Sequence, residues 1–156
     1  MDFELVPPND VGPLVIGMPQ READAALLSL RDPSVLSDSD RPGQHIFRPS
    51  GLMISISCTR GLLEAVELGR PSNASDSVRF GDVDVFGLPA REVVRRMRGQ
   101  TTILADAEDP ASFVAPDLLL SFWRPFAADD DPDEEQGYHF SSVLLARPGY
   151  YDGPGL

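Results

Sequence analysis

A six-residue motif that occurs twice is the feature that most constrains the fold of this chain. Residues 17–22 (GMPQRE) return seventy positions later as residues 87–92 (GLPARE), with four identities and one Met/Leu exchange. Two weaker pairs follow in the same order, residues 52–56 with 118–122 and residues 66–71 with 143–148. Because the order of the three pairs is kept, the pattern predicts a duplicated supersecondary unit whose halves bury apolar faces against each other.

Each copy has the pattern of a short strand, a helix and antiparallel strands. An apolar stretch runs into glycine, and the proline two residues later fixes φ for the start of a helix. Apolar stripes are predicted on the two helices at Ala23, Ala26, Leu27 and Leu30, and at Val93, Val94 and Met97. Strands are predicted at residues 14–16, 44–48, 52–58, 63–68, 83–86, 118–124 and 138–147.

We therefore predict an α+β fold in which the two halves, residues 1–72 and 73–156, share one antiparallel sheet within a single compact domain. The offset between paired segments grows from 66 (residues 52 to 118) to 77 (residues 66 to 143), so the second half carries an insertion. We place this insertion at residues 126–137, in the connection between two strands of a hairpin.

Charge and composition narrow the classes of partner. The 156 residues include 13 basic and 25 acidic side chains, for a formal net charge of −12, which disfavours a nucleic-acid partner. The first residues lack the basic and apolar segments of a secretory signal, and no apolar run approaches the length of a membrane span. These features predict a cytoplasmic protein. Cys58 is the only cysteine, which excludes an internal disulfide and a cysteine-based metal cluster.

The insertion contains an acidic run in which six of seven residues carry a carboxylate. These are Asp129, Asp130, Asp131, Asp133, Glu134 and Glu135. Charge repulsion should keep the run exposed and mobile, and three interpretations apply. The first is a solvated loop that aids solubility. The second is a calcium loop, but a register from Asp129 puts Glu134 where glycine is needed and Phe140 where glutamate is needed, so we predict no metal. The third is recognition of a basic protein.

Aromatic residues surround the acidic run. Phe126 and Phe140 are predicted to lie in the core, because a small half-repeat needs large side chains to bury area. Trp123, Tyr150 and Tyr151 are candidates for a protein interface, because Tyr and Trp supply the anchors of interface hot spots. The sequence therefore predicts a partner surface around the acidic run.

No catalytic motif is present, and we predict a protein that is not an enzyme and needs no cofactor. His45 and His139 are the only histidines, and neither has the spacing of a metal or catalytic cluster. An enzyme would need one of them in a concave pocket beside a carboxylate with a perturbed pKa. Arg91, Arg95 and Arg98 share a helix face, and the sequence leaves open whether they form internal ion pairs or a second, basic surface.

Several segments resemble a widespread group of uncharacterised actinobacterial cytosolic proteins. They are residues 11–18 (VGPLVIGM), 81–93 (GDVDVFGLPAREV), 116–125 (PDLLLSFWRP) and 147–151 (RPGYY), and together they span nearly the whole chain. The duplicated unit also resembles the two-repeat fold of the beta-lactamase inhibitor proteins and the small outer-membrane assembly lipoproteins. The chain departs from both because it lacks a signal peptide and a disulfide.

The resemblance implies this two-repeat fold and a function in protein binding. Small acidic proteins of this kind are also similar to immunity proteins that neutralise basic toxins. Our first hypothesis is a non-enzymatic protein-binding module, an immunity-type inhibitor whose acidic run and nearby aromatics cover a basic toxin or enzyme. The alternative is a structural or scaffold domain that forms a homo-oligomer, with a homodimer as its simplest form.

Overall fold

The computed structural model describes residues 2–30, 43–47 and 50–148. These residues form a mixed α+β structure in which strands outnumber helices, as predicted. The strands are β1 (Asp2–Val6), β2 (Asp10–Val11), β3 (Leu14–Val15), β4 (Gln44–Phe47), β5 (Leu52–Thr59), β6 (Leu62–Gly69), β7 (Ser77–Phe80), β8 (Val83–Asp84), β9 (Leu104–Ala105), β10 (Phe113–Ala115), β11 (Leu120–Trp123) and β12 (Ser142–Ala146). The helices are α1 (Gln20–Ser29), α2 (Ala90–Arg98) and the single turn α3 (Glu135–Tyr138), with a 3-10 turn at Pro116–Leu118.

Both long helices begin where the repeated motif predicts. Pro19 and Pro89 occupy the N-cap positions with φ of −59° and −55°, and the helices start at the next residue. Each helix carries one glutamate in its first turn, Glu22 or Glu92, where a negative charge interacts favourably with the helix dipole. The apolar faces are directed inward: Ala23 and Leu27 of α1 are buried, as are Ala90, Val93, Val94 and Met97 of α2.

The larger sheet has seven strands in the order β4-β5-β6-β12-β11-β10-β9, and every neighbouring pair is antiparallel. The predicted hairpins β5–β6 and β11–β12 are both present. At the centre of the sheet, β6 pairs with β12 in a register that sets Ala65 opposite Ala146 and Gly69 opposite Ser142. This sheet positions the acidic run, which lies in the connection from β11 to β12.

The prediction of one shared sheet is not confirmed, because the strands divide between two sheets. The smaller sheet has the order β3-β2-β1-β7-β8, and within it β1 runs parallel to β7. The cause is β1, a strand that is absent from the predicted set: Phe3 and Leu5 are buried and alternate with exposed Asp2, Glu4 and Val6. This strand pairs with β2 on one side and β7 on the other, and so gathers the short strands that precede α1 and α2 into a second sheet.

One continuous hydrophobic core joins the two sheets and the two long helices. Near the acidic run its centre is Phe140, whose ring lies 5.3 Å from that of Phe122 and 6.1 Å from that of Phe113. Cys58 packs against the same core at partial exposure, and burial is the main cause that raises the pKa of its thiol. Within the described residues, no helix is long and apolar enough to cross a bilayer.

Candidate functional site

The connection from β11 to β12, residues 124–141, is the candidate partner-binding segment. Its backbone folds into consecutive turns. The N–H of Asp131 donates to Ala128 O at 3.1 Å, that of Glu134 to Asp131 O at 3.1 Å, and that of Gly137 to Glu134 O at 2.9 Å. A bond of 3.0 Å from Ala128 N–H to Gly137 O closes the loop. The predicted exposure of the acidic side chains is confirmed for residues 130–135, but the backbone that carries them has a defined path.

Arg124 lies beneath this loop and is only 2% exposed. Its Nη1 donates to Asp129 Oδ1 at 2.7 Å and to Gly137 O at 2.7 Å, and its Nε donates to Ala111 O at 2.7 Å. The guanidinium also stands 5.7 Å from the centroid of the Phe140 ring. Arg124 therefore ties both ends of the acidic run to the core.

Burying a guanidinium is costly unless its charge and its donors are satisfied. Here Asp129 supplies the opposite charge, and the carbonyls of Ala111 and Gly137 accept hydrogen bonds from the guanidinium. The Phe140 ring adds a cation–π contact. Arg124 is not among the site residues predicted from the sequence. The signal was present, because Leu120 and Phe122 are buried and strand alternation puts residue 124 on the same face.

The remaining carboxylates of the run face solvent. Asp130 is 98% exposed and lies 3.2 Å from Nη1 of Arg91, an exposed ion pair of the kind that contributes little to stability. The Asp131 Oδ1 atom accepts a bond from the N–H of Asp133 at 3.1 Å, which fixes the turn between them. Asp129 thus serves the fold, whereas Asp130, Asp131, Asp133, Glu134 and Glu135 present negative charge at the surface.

The structure tests the predictions for Phe126 and Phe140 and locates Trp123. Phe140 is buried, as predicted. The core prediction for Phe126 is wrong: the residue is 41% exposed, and its ring lies over the backbone of Gly137 at the surface of the loop. Trp123 is 48% exposed at the end of β11. Tyr150 and Tyr151 lie outside the described residues.

By strand alternation Trp123 lies on the face of the large sheet opposite Phe122 and Arg124. It borders a cleft of about 530 Å³, whose lining also includes Phe122. The exposed side chain of Leu104 and the side chain of Val114 line the same cleft. A row of directly paired residues continues across this face from Trp123 through Ser142, Gly69 and Met53 to Ile46. Trp123 therefore lies at one end of a strip of mostly small or apolar residues that is exposed at Trp123 and Ile46 and half-buried between them.

The arginines of α2 make different contacts. Arg95 donates from both Nε and Nη2 to the carboxylate of Glu92, and Arg96 Nε donates to the same carboxylate at 2.9 Å. These bonds, first from Arg95 and then from Arg96, lower the pKa of Glu92 to about 2. Arg91 pairs with Asp130, as described above. Among the described residues, Arg98 has no carboxylate oxygen within 4.0 Å of its guanidinium nitrogens.

His139 lines a separate cavity of about 270 Å³. Its Nδ1 lies 3.1 Å from Leu88 O, and burial, followed by the charge of Arg70, lowers its pKa. The side chain of His45 lies outside the described residues.

The carboxylates that line this cavity have structural partners. Ser50 Oγ donates to Asp76 Oδ2 at 2.5 Å, and the N–H of Gly87 donates to Asp84 Oδ1 at 2.9 Å. Asp2 accepts from the hydroxyl of Ser77. Across the described part of the chain, no group of three or more His, Cys, Asp or Glu side chains is arranged to hold a metal ion.

Comparison of the chain with protein-family models, curated proteins and solved structures finds no match.

Proposed function

We propose that this protein is a non-enzymatic protein-binding module, an immunity-type inhibitor that covers a basic toxin or enzyme. The observation that supports this proposal is the attachment of the acidic run to the buried Arg124. It holds five solvent-facing carboxylates at a defined position in the connection that follows β11, the strand that ends at the exposed Trp123.

A loop with a fixed path loses little conformational freedom when a partner binds, so more of its interaction energy is available for affinity. The five carboxylates also create a local negative field in a protein whose net charge is −12. Such a field accelerates encounter with a basic surface and orients the two proteins before contact.

Trp123 and the neighbouring sheet face supply the apolar part of the proposed interface. Trp is enriched at interface hot spots because it buries a large area and carries one polar N–H group. The cleft beside Trp123 and Leu104 offers a concave surface for an apolar side chain of the partner. Charges at the rim and an aromatic residue at the centre are the usual composition of such interfaces.

We further propose that the chain is a duplication of one helix-and-strands unit, as in the fold of the beta-lactamase inhibitor proteins, and that it acts in the cytoplasm. The matching starts of α1 and α2 after Pro19 and Pro89 support the duplication. So does the equivalent order of β4-β5-β6 and β10-β11-β12 on the two sides of the large sheet. We also include Tyr150 and Tyr151 in the proposed interface, on the ground of their residue type and their place in the sequence.

The alternative function is that of a scaffold domain that forms a homo-oligomer. The observation that favours it is β9, an edge strand of the large sheet in which both residues are exposed, including the apolar Leu104. Uncovered apolar strand edges pair readily with a second copy. Light scattering on the purified chain distinguishes the two functions, because an inhibitor without its partner is expected to be a monomer.

The test of the inhibitor proposal begins with affinity capture from lysate of the source cells, followed by binding kinetics with the purified captured protein. We expect association to slow strongly between about 0.1 M and 1 M salt, as the Debye length falls from about 10 Å to about 3 Å. The triple variant Asp133→Asn, Glu134→Gln, Glu135→Gln should lower the association rate. A control with the same charge change, Glu22→Gln, Asp82→Asn, Glu108→Gln, should lower it much less.

Trp123→Ala tests the apolar part of the proposed interface separately. We expect it to weaken binding about 30-fold, because a hot-spot residue contributes about 2 kcal/mol. Leu28→Ala, at an exposed apolar position on α1, is the control. The proposal fails if no stoichiometric partner is captured, or if the loop variant and its charge-matched control bind at equal rates.

A further inference from the structure

We propose that the groove between α2 and the acidic loop binds a small organic oxyanion, a phosphate or carboxylate group attached to an apolar ring. The groove has a volume of about 400 Å³, within the range of ligand sites. Its lining residues are Arg91, Val94, Arg95, Arg98, Phe113, Arg124 and Asp129. Four of these seven side chains are guanidinium groups, in a protein with nearly twice as many acidic as basic residues.

Three of the arginines come from one face of α2. Arg91, Arg95 and Arg98 are spaced four and three residues apart, so their side chains lie next to each other along the helix. Like charges at these spacings repel and destabilise an isolated helix. Arg95 is compensated by Glu92 and Arg91 by Asp130, but within the described residues Arg98 faces the groove without a carboxylate partner. A bound anion would supply the missing negative charge.

Arg124 is the fourth arginine that lines the groove, and hydrogen bonds hold its guanidinium. Its three bonds to Ala111, Asp129 and Gly137 use Nε and Nη1, and none of them uses Nη2. Asp129, the one carboxylate that lines the groove, is engaged by Nη1 of this same arginine. The groove therefore combines a buried, hydrogen-bonded guanidinium with exposed ones on α2, an arrangement that suits bidentate binding of an oxyanion.

The other lining residues indicate what the oxyanion is attached to. Val94 is buried and Phe113 is half-buried, and both belong to or pack against the hydrophobic core. An apolar ring can lie against these two side chains while its phosphate or carboxylate reaches Arg95 and Arg98. Inorganic phosphate satisfies the arginines but leaves this apolar contact unmade, so the groove should prefer the organic compound.

The test uses phenyl phosphate, benzoate and inorganic phosphate as probes, with benzyl alcohol as the neutral analogue. Binding to the full chain is measured by calorimetry and by the shifts of arginine Nε–H signals in nuclear magnetic resonance spectra. We expect phenyl phosphate or benzoate to bind with shifts at Arg98 and Arg124, and inorganic phosphate to bind at least about tenfold more weakly. Benzyl alcohol should not bind. The stronger of the two ring compounds identifies the class of oxyanion.

The variant Arg98→Gln should weaken binding about tenfold, because it removes a charge-assisted bond. Arg21→Gln, at an exposed site on α1, is the matched control and should change nothing. Urea unfolding of both variants reports whether Arg98→Gln acts through the fold; equal unfolding midpoints with weaker binding support a ligand contact. No binding of either ring compound, or equal binding by Arg98→Gln and wild type, would overturn the proposal. It does not depend on the proposed protein partner.

Discussion

The large sheet contains two antiparallel hairpins whose connections are built in opposite ways. β5 and β6 are joined by the two residues Arg60 and Gly61, both with positive φ, of 56° and 78°. This is the backbone conformation of the tight hairpin turns that match strand twist. β11 and β12 are joined by residues 124–141, which contain the acidic run.

The short connection is specified by its own two residues, which both adopt the positive φ of the turn, Gly61 without steric cost. The long connection has too many residues for turn geometry to define its path. It depends instead on a charged side chain, Arg124, which enters from the end of β11 and binds the loop from the inside. A loop stabilised in this way can change the amino acids on its outer surface while the backbone at its base keeps its position.

The largest expected effect comes from removing the internal cation. Arg124→Met should lower the free energy of unfolding by about 3 kcal/mol or more, because Asp129 loses its counter-ion and two carbonyls lose their donor. Urea denaturation measures this loss. The control is Arg91→Met, which removes the exposed ion pair with Asp130 and should cost at most about 1 kcal/mol. Equal losses in the two variants would show that the long connection does not depend on Arg124.

The second prediction compares one glycine from each connection. A methyl group on Gly137 would overlap the ring of Phe126 and lie 2.8 Å from Ala128 Cβ, so Gly137→Ala should cost about 1–3 kcal/mol through steric strain. Adding Phe126→Ala should recover part of that loss. At Gly61 a methyl group meets no atom within 4 Å, so Gly61→Ala should cost only the backbone strain of positive φ, about 1 kcal/mol. Recovery of Gly61→Ala by the same Phe126→Ala change would contradict this distinction.

The smallest predicted effect is a dependence of stability on pH between about pH 8 and about pH 5 that comes from the second connection, since residues 52–69 contain no histidine. Burial and Arg70 lower the pKa of His139 below its ordinary value of 6.5. The unfolded chain therefore takes up a proton before the folded chain does, and stability should decrease as the pH falls below 6.5 toward the lower pKa of the folded state. Urea unfolding between about pH 8 and about pH 5 should show this decrease in wild type. His139→Gln should flatten it, and an unchanged slope would contradict the prediction.

Features with a local physical cause were predictable from the sequence. Pro19 and Pro89 predict where α1 and α2 begin, because proline fixes φ next to a helix start. The Arg60-Gly61 pair predicts the β5–β6 turn. In each case the residues that signal the structure are within a few positions of it.

Features that depend on residues far apart in the chain were not predictable in the same way. The parallel pairing of β1 with β7 joins Asp2 to Ser77, and no local pattern specifies that partner. Phe126 is a large apolar residue of the kind found in cores, but it lies at the surface over Gly137, which comes eleven positions later. The burial of Arg124 follows from strand alternation. Its bonding partners do not, because Ala111 lies 13 positions before it and Asp129 and Gly137 lie 5 and 13 positions after it, and only the fold brings them together.

The place of β12 in the large sheet has a consequence for synthesis of the protein. β12 follows every other described strand along the chain, but it lies between β6 and β11. Until a ribosome has added residues 142–146, both of those strands present an edge with unpaired backbone groups, the kind of edge through which nascent chains associate. The sheet can therefore be completed only after these five residues are synthesised, and their pairing with β6 joins residues 73 positions apart, Gly69 and Ser142.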